Sequence, residues 1–273
     1  MIPNIWDLSS LNTVLSLNTP SSPSSPNHAP VKAIATASFA IAASLGLTDD
    51  QLSLGANLIR ISSLAPHVRK AGLPLTVDIQ DAYGEKLEDV VAAVVRTGAV
   101  GANVEDLRGD VDESGKGEEG STSLLWSLEE QVTRIRRVLE VAAENGCPDF
   151  VVNARCDVMT PASHPSQFHS EVDDTALLNE TIRRGKAYLS AGATTVFVWG
   201  GPSRGLRDHE IRTLVQEFGG RLAVKLGSGK DVLSVKQLAE MGVARISVGP
   251  ELYRAALRAV REAAEGIVNG GNL

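Results

Sequence analysis

Cysteine is scarce in this sequence, which has two such residues, Cys147 and Cys156, in 273 positions. The start of the chain has no charged segment followed by a long apolar run, and a strand-like pattern begins at residue 2. These absences argue against secretion, against a disulfide framework and against an ordinary targeting peptide. No apolar run reaches the roughly 18 residues that a transmembrane helix needs. We therefore predict a cytoplasmic protein without a membrane partner.

An excess of positive charge is also missing. The chain has 26 Lys and Arg residues against 33 Asp and Glu residues, which gives a net charge of -7 and a pI near 5.3. This balance makes nucleic acid and anionic membranes poor partners, although a local cationic pocket could still bind a small anion. The hydrophobic content of 43% is ample for the core of one large domain.

Short β-type runs alternate with helical patterns along the chain. The β runs cover 2–7, 31–36, 73–79, 99–104, 150–154, 194–198, 222–225 and 244–248. The helical patterns cover 8–17, 49–71 with Pro66 as a candidate break, 87–97, 128–145, 175–191, 209–218, 232–241 and 251–268. This alternation predicts βα units and a parallel sheet. A doubly wound sheet is the competing architecture, but no Gly-rich dinucleotide fingerprint follows the first strand. We predict one α/β domain over 1–273, a (β/α)8 TIM-type barrel.

Three polar segments interrupt this alternation. Residues 18–30 are rich in Ser and Pro, which predicts a surface insertion. Residues 108–122 are Gly-rich and nearly devoid of apolar groups, which predicts a mobile active-site loop that can close over a substrate. Residues 161–174 form a second long loop with His164 and His169. These histidines are solvated loop residues or, if the loop covers the barrel mouth, candidate acid–base groups.

Charged and polar groups stand where the predicted strands end. In a barrel these carboxyl ends converge on one pocket. The expected constellation comprises Asp7, Thr36, Ser38, Asp78, Gln80, Asp81, Glu105, Asp106, Arg155, Asp157, Trp199, Lys225 and the turn at Gly249. Oxygen ligands of this kind suit Mg2+ or Mn2+, and a guanidinium suits a carboxylate or phosphonate. We therefore expect a small anionic 2-oxo acid bound at Mg2+, with the metal acting as a Lewis acid that stabilises enolate charge.

Simpler interpretations exist for several of these residues. Asp78 and Glu105 could cap the helices that follow them. Arg155 could form a buried pair with Glu105 or with the carboxylate two residues further on. Cys156 fits a small core residue better than a nucleophile, and Lys225 fits a structural ion pair better than a Schiff-base lysine. The metal and substrate assignments therefore depend on the whole pattern.

Seven segments in fixed order resemble a known superfamily. They are IPNIWD (2–7), AIATASFAIAASLG (33–46), PLTVDIQDAYG (74–84), TGAVGANVED (97–106), FVVNARCDV (150–158), AGATTVFVWGG (191–201) and GVARISVGPELYRAAL (242–257). Together they resemble the isocitrate lyase and phosphoenolpyruvate mutase superfamily, in particular its phosphoenolpyruvate phosphonomutase-like and carboxyvinyl-carboxyphosphonate phosphorylmutase-like branch. The resemblance implies an α/β barrel that forms a homo-oligomer, a tetramer or a dimer. It also implies Mg2+-dependent cleavage or formation of C–C or P–C bonds in 2-oxo acids.

The resemblance also implies roles for individual residues. Asp78 matches the leading metal-side acid of the family motif, Glu105 matches the acid that holds metal-bound water, and Arg155 matches the contact to the substrate's acid group. These three are the candidate catalytic residues. The candidate metal-side residues are Asp78, Gln80 and Glu105. The candidate substrate contacts are Thr36, Ala37, Ser38, Asp81, Tyr83, Arg155 and Trp199.

The sequence departs from the family pattern at several places. Gln80 replaces an acidic residue, which should weaken Mg2+ binding without abolishing an amide or water-mediated contact. Ala82 replaces the usual Gly, Leu107 replaces a polar residue, and Trp199 stands where Pro is common and could reshape the pocket. The segment 108–122 has neither the lyases' Lys-Lys-Cys-Gly-His loop nor the mutases' Lys and Asn. These departures argue against isocitrate or methylisocitrate lyase activity.

Three functions follow as hypotheses. The first is a Mg2+-dependent lyase-type enzyme that cleaves a C–C bond of a small 2-oxo or 2-hydroxy carboxylic acid through a metal-stabilised enolate. The second is a phosphonate-type mutase or hydrolase. The third is a catalytically altered barrel with a binding role.

Overall fold

The computed structural model of the protein describes residues 1–18, 29–109, 124–160, 173–201, 205–227 and 232–272. Most of the predicted insertion 18–30 and of the loops 108–122 and 161–174, including His164 and His169, lies outside the described residues. In the six described stretches, no helix is both long enough and apolar enough to cross a membrane.

Eight parallel strands form a nearly closed barrel in sequence order, which confirms the predicted (β/α)8 fold class. The strands are β1 Asn4–Ile5, β2 Ile34–Thr36, β3 Leu75–Asp78, β4 Gly101–Glu105, β5 Val151–Cys156, β6 Thr195–Val198, β7 Leu222–Lys225 and β8 Arg245–Ser247. A parallel bridge between Ile2 and Ser247 brings the last strand back to the first, and the Ile2 amide donates to the Ile246 carbonyl at 3.0 Å.

Nine α-helices in the described stretches surround this barrel. They are α1 Leu8–Leu15, α2 Ser38–Ser44, α3 Leu54–Lys70, α4 Leu87–Thr97, α5 Leu128–Glu144, α6 Asp174–Ser190, α7 Asp208–Glu217, α8 Val235–Glu240 and α9 Glu251–Val268. Asp7 caps α1 by accepting a hydrogen bond from the Ser10 amide at 2.7 Å, so this strand-end acid serves the helix.

The helix that the pattern predicts over 49–71 is shorter in the structure and continuous through Pro66. A separate 3-10 turn covers Asp49–Gln51, and α3 begins only at Leu54, capped by Ser53. The candidate break at Pro66 is wrong, because α3 continues through this residue. Pro66 lies on the exposed face of the helix, where water can bond the carbonyl that its missing N–H leaves unpaired.

The barrel interior contains a layer of polar side chains below the strand ends. Asn103, Asn153 and Thr195 are register neighbours on β4, β5 and β6. The Asn153 amide donates to Asn103 Oδ1 at 2.8 Å, Thr195 Oγ1 donates to Asn153 Oδ1 at 2.5 Å, and Arg245 donates to Asn103 Oδ1 at 3.2 Å. Burial lowers the pKa of Arg245 to about 10. This hydrogen-bonded layer forms a rigid floor for the cavity above it.

Candidate active site

A cavity of about 810 Å³ opens at the carboxyl ends of the strands. Its walls have two different characters. On one side lie polar groups from β1 to β5, among them Ser38, Asp49, Asp78 and Arg155. On the other side lie mostly apolar groups that belong to β6, β7 and the helices behind them. Its position is where active sites are found in barrels of this type.

Asp78, the last residue of β3, is fixed by groups from β2 and α2. Its Oδ2 accepts hydrogen bonds from the Ser38 amide at 3.1 Å and from Ser38 Oγ at 3.2 Å. Its own amide donates to Thr36 Oγ1 at 2.9 Å. These contacts hold one carboxylate oxygen in place and leave Asp78 on the wall of the cavity. The carboxylate does not cap the following helix, which is the role that a simple capping interpretation predicts.

The turn after Asp78 has a strained backbone. Gln80, Ala82 and Tyr83 have φ angles of 53°, 62° and 55°, in the left-handed region that non-glycine residues seldom adopt. Such a run persists only where its surroundings enforce it, and strain of this kind concentrates at functional sites. Here the Asn57 amide enforces it by donating to the Asp78 carbonyl and to the Tyr83 hydroxyl, both at 3.0 Å.

Arg134 on α5 holds the same turn from outside. It donates to the main-chain oxygen of Asp81 and, at 3.1 Å, to that of Gly84. The Asp81 carboxylate is buried and accepts a hydrogen bond from the Gly109 amide at 3.3 Å. Asp81 therefore ties the acidic turn to the segment after β4.

Gln80 does not face the cavity as a free ligand. Its Nε2 donates to the main-chain oxygen of Asp49 at 2.7 Å and to Asp49 Oδ1 at 3.3 Å. Burial and the nearby Asp78 carboxylate raise the pKa of Asp49 to about 6. Gln80 thus positions a second carboxylate beside Asp78. Sequence reasoning missed Asp49, because it follows no strand and the helical pattern assigned to 49–71 gave it an ordinary role.

Arg155 lies between two carboxylates. Its NH1 is 2.5 Å from Glu105 Oε2, and its Nε and NH2 donate to Asp157 Oδ1 at 3.0 and 2.7 Å. Burial raises the pKa of Glu105 well above its usual value, Asp157 and other carboxylates add to this, and Arg155 opposes it. The buried pairing that the sequence left open is therefore present, and Arg155 also lines the cavity.

A second charged cluster, around Asp106, lies on the other side of the sheet from Arg155 and faces α6. Asp106 follows Glu105 and points to the opposite side of the sheet. It accepts hydrogen bonds from Tyr188 at 2.6 Å, from Arg184 at 3.3 Å and from the Asp157 amide at 2.8 Å. Burial and the Asp157 carboxylate raise the pKa of Asp106 to about 6.

A second cation in the cavity wall, Lys225, is paired. Lys225 Nζ lies 3.0 Å from Glu251 Oε1, as the structural ion-pair interpretation predicts. Arg254 bonds the same Glu251 oxygen at 3.0 Å. The Trp199 ring has the Arg155 guanidinium 5.2 Å and Lys225 Nζ 6.0 Å from its centroid. Trp199 therefore lies where the cationic groups meet the apolar wall.

The predicted site residues divide into two groups. Those that line the cavity are Ala37, Ser38, Asp78, Arg155 and Trp199. Those in contact behind its wall are Thr36, Gln80, Asp81, Tyr83 and Glu105. Their proposed roles in metal and substrate binding stay predictions. Cys156 is fully buried and burial raises the pKa of its thiol, as expected of a core residue.

The donor set suits Mg2+ better than a metal that needs a closed protein cage. In the described part of the chain, no group of three or more His, Cys, Asp or Glu side chains is arranged to hold a metal ion. Mg2+ is commonly bound through one or two carboxylates, with water and substrate completing its shell. Asp49 and Asp78 are two such carboxylates on the cavity wall, and burial and the Asp78 carboxylate raise the pKa of Asp49. These residues therefore fit the cation.

The fold and the cavity define the class of protein, a (β/α)8 barrel with a pocket at the carboxyl ends of its strands. Residues 1–268 match the family model of phosphoenolpyruvate phosphomutase, and the chain belongs to this family. The superfamily resemblance seen in the sequence is confirmed.

Three individual proteins illustrate the similarity. A proposed phosphonomutase from Burkholderia cenocepacia is 30% identical, with 97% of this chain and 92% of that chain covered and a TM-score of 0.74. The structure of 2,3-dimethylmalate lyase shares the fold at 22% identity, with 98% and 82% covered and a TM-score of 0.73. An uncharacterised protein of Mycobacterium tuberculosis is 27% identical over all of this chain and 86% of its own length.

Proposed function

We propose that this protein is a Mg2+-dependent lyase-type enzyme that cleaves a C–C bond of a small 2-oxo or 2-hydroxy carboxylic acid. The observation that carries the proposal is one cavity lined by the Asp49 and Asp78 carboxylates and by the Arg155 guanidinium. Such a cavity offers one subsite for a cation and one for an anionic substrate.

The carboxylates of Asp78 and Asp49 would hold the cation, and Mn2+ suits the same oxygen donors. A cation bound there supplies a Lewis acid that stabilises enolate charge on the substrate. Ser38 and Thr36 keep Asp78 oriented, and Gln80 keeps Asp49 oriented. Glu105, in contact with Arg155 behind the wall, would support water near this subsite and remains a candidate metal-side residue.

Arg155 would bind the substrate's carboxylate. A guanidinium has five N–H donors, and the contacts to Glu105 and Asp157 use three of them. Because Glu105 and Asp157 both bind the Arg155 guanidinium, the plane of the guanidinium is fixed before the substrate binds. The anchoring of the substrate therefore costs little side-chain entropy.

Calorimetric titration with oxalate, with and without Mg2+, tests this proposal. Oxalate should bind in the presence of Mg2+, and Asp78→Asn should weaken this binding strongly, whereas the exposed control Asp89→Asn should not. Proton NMR of oxaloacetate and substituted malates incubated with the protein would then show which C–C bond breaks. If Mg2+ has no effect on oxalate binding to the wild-type protein, the proposal fails.

A phosphonate-type mutase or hydrolase is the second candidate. The 30% identity to the Burkholderia cenocepacia protein supports it, and Arg155 suits a phosphonate as well as a carboxylate. Phosphorus NMR of phosphonopyruvate incubated with the protein would distinguish it, because breakage of a P–C bond moves the phosphorus resonance. Binding of oxalate without turnover of either panel would instead support a barrel with a binding role.

We also propose a cytoplasmic homo-oligomer, a tetramer or a dimer. The helix α9 has no buried residue, and Leu252, Val260 and Ile267 recur on one of its faces and are exposed. A second copy of the chain would cover this face. Both cysteines are free thiols, which agrees with a reducing compartment. Light scattering should give a dimer or larger mass, and Val260→Asp with Ile267→Asp should reduce it to that of one chain.

A further inference from the structure

We infer that Asn103 contacts the substrate through its side-chain NH2 group, and that Arg245 is the positioning residue that turns this group toward the cavity. The inference rests on the proposed function and deepens it, because it adds an uncharged donor to the cation subsite and to Arg155. Asn103 on β4 is the register neighbour of Asp78 on β3, and both line the cavity. The donor would therefore meet an anionic substrate from the floor of the cavity.

The carboxamide of Asn103 has its oxygen engaged and its nitrogen open. The oxygen, Oδ1, accepts hydrogen bonds from the Asn153 amide at 2.8 Å and from Arg245 at 3.2 Å. The nitrogen, Nδ2, donates to none of the described residues and is not sealed from solvent. Asn103 is 7% exposed and lines the cavity, so this exposure is toward the cavity. The NH2 group is therefore available as a donor to a ligand.

Arg245 determines which way round the carboxamide lies. Asn153 and Thr195 could not determine it alone, because an amide can turn over and a hydroxyl can donate or accept. The chain of hydrogen bonds from Thr195 through Asn153 to Asn103 could therefore run in either direction. A guanidinium only donates, so the atom of Asn103 that faces Arg245 must be the oxygen. Arg245 thereby sets the direction of the chain and leaves the Asn103 NH2 group for the cavity.

The surroundings of Arg245 agree with this role. It is 9% exposed and lies inside the barrel on β8, on the same face as Ser247, which lines the cavity. Among the described residues no carboxylate pairs with Arg245, and its Nε is buried without a hydrogen-bond partner. A buried guanidinium without a carboxylate partner costs free energy, so the stability of the fold does not account for it. The orientation of Asn103 does.

The chemical consequence is a directed hydrogen bond to the substrate. Glu105 and Arg155 are the next residues above Asn103 and Asn153 on the same face of the sheet. An oxygen of a small 2-oxo acid held between Asp78 and Arg155 would lie over Asn103 Nδ2. A preorganised donor at this place favours an oxygen that gains negative charge, as the oxygen of an enolate does.

Calorimetric titration of oxalate with Mg2+ present tests the role of Asn103 in two variants. Asn103→Asp keeps an oxygen for Asn153 and Arg245, so the floor stays hydrogen-bonded, whereas Asn103→Leu keeps the branched shape and adds no charge. Both variants lose the NH2 donor. Each should bind oxalate roughly 10- to 150-fold more weakly than the wild-type protein, the effect of one hydrogen bond to a charged group. The control is Asn12→Asp, at an exposed position on α1, which should keep the wild-type affinity.

A double-mutant cycle tests the positioning by Arg245. Without this guanidinium the hydrogen-bond chain can run in both directions, and equal population of the two should weaken oxalate binding in Arg245→Met about twofold. In the Asn103→Leu background the same change should leave oxalate affinity as it is, because no carboxamide remains to be oriented. Equal weakening in both backgrounds would show that Arg245 acts through its charge alone, and would overturn the positioning role.

The outcomes separate this inference from the proposed function. If the wild-type protein binds oxalate and both Asn103 variants bind it equally well, the Asn103 contact is overturned and the proposed function stands. If only one variant binds weakly, added charge or loss of the floor contacts is the cause, and the Asn103 contact is again overturned. If Asn103→Leu does not fold, a crystal structure of the wild-type protein with Mg2+ and oxalate decides. A distance of about 3 Å from Asn103 Nδ2 to an oxalate oxygen supports the contact, and one above about 3.5 Å overturns it. If the wild-type protein does not bind oxalate, both proposals fail.

Discussion

Two arginine–carboxylate clusters lie back to back across β4 and β5, and they differ in what they face. The inner cluster, Glu105, Arg155 and Asp157, reaches the cavity through Arg155. The outer cluster, Asp106, Arg184 and Tyr188, lies between the sheet and α6. Their residue types are nearly the same. Strand alternation alone puts Glu105 and Asp106 on opposite faces.

The difference shows which charged group can exchange partners with a ligand. Asp106 accepts three hydrogen bonds from groups that are themselves buried, so the outer cluster is closed. In the inner cluster, Asp157 Oδ2 is buried and has no hydrogen-bond partner among the described residues, and Arg155 lines the cavity. The Asp157 amide donates to Asp106 Oδ1, which joins the two clusters. The outer cluster therefore acts as a support for the inner one.

Removal of the outer arginine should give the largest effect on stability. Arg184→Met leaves Asp106 buried without its cationic partner, and we expect a loss of about 3–5 kcal/mol in the free energy of unfolding. Chemical denaturation measures it. Arg183→Met is a matched control, because the neighbouring arginine is exposed and pairs with the same Glu180, and it should cost less than about 1 kcal/mol. Equal losses in the two variants would show that Arg184 is not a support.

Removal of the inner arginine should instead appear in ligand binding. Arg155→Met should weaken oxalate binding by about 2–4 kcal/mol, roughly 30- to 1,000-fold, because the anion loses its charged partner. Calorimetry with Mg2+ present measures the change. Arg137→Met removes an arginine that, in the described part of the chain, forms ion pairs only with surface glutamates, and oxalate affinity should stay the same. Unchanged affinity in Arg155→Met would assign the inner cluster to structure alone.

The fold was predictable because its pattern is periodic. The predicted helix over 87–97 and the strand over 222–225 match α4 and β7, and the final helix matches α9. In each case apolar residues repeat at the spacing of the element, and Gly or a polar group marks its end. The predicted helix break at Pro66 was wrong because Pro66 lies on the exposed face, where water can bond the carbonyl that loses its hydrogen bond. Which face is exposed depends on tertiary packing, and sequence spacing does not show it.

The candidate site was predictable only where a charged side chain lies at or next to the carboxyl end of a strand. Asp78 and Glu105 end their strands, Arg155 is the next-to-last residue of its strand, and Asp78 and Arg155 line the cavity. Asp49 could not be found in this way, because a loop brings it to Asp78 and the contact from Gln80 fixes it there. Strand alternation predicts that Glu105 and Asp106 lie on opposite faces of the sheet. Which of the two faces borders the cavity is decided only when the barrel closes.

The pH dependence of stability should separate the clusters further. Burial raises the pKa of Asp106 to about 6. The folded chain therefore binds the proton of the Asp106 carboxyl group more tightly than the unfolded chain, where Asp titrates near 3.9. Its contribution to stability is therefore full below about pH 4 and is lost as the pH rises through about 6. Relative to Asp106→Asn, the wild-type protein should lose stability between pH 4 and 6. Denaturant titrations across this range measure it, with Asp89→Asn as a surface control. A relative gain with rising pH would contradict the assignment.

The smallest effect on stability should come from Gly84, in the turn that follows Asp78. Gly84 has a φ angle of 64°, and a Cβ there would meet no atom within 4 Å, so Gly84→Ala should cost about 1–2 kcal/mol through backbone strain alone. Gly55→Ala, in the first turn of α3, adds a Cβ with equal space but with a helical backbone, and should stabilise the fold by up to about 1 kcal/mol. Thermal unfolding of both variants measures the opposite signs. The change at Gly84 should also weaken oxalate binding, because this turn follows Asp78. The pH dependence attributed to Asp106 should stay the same, because Asp106 is held by residues of α6. Loss of both properties together would mean that the two clusters are one cooperative unit.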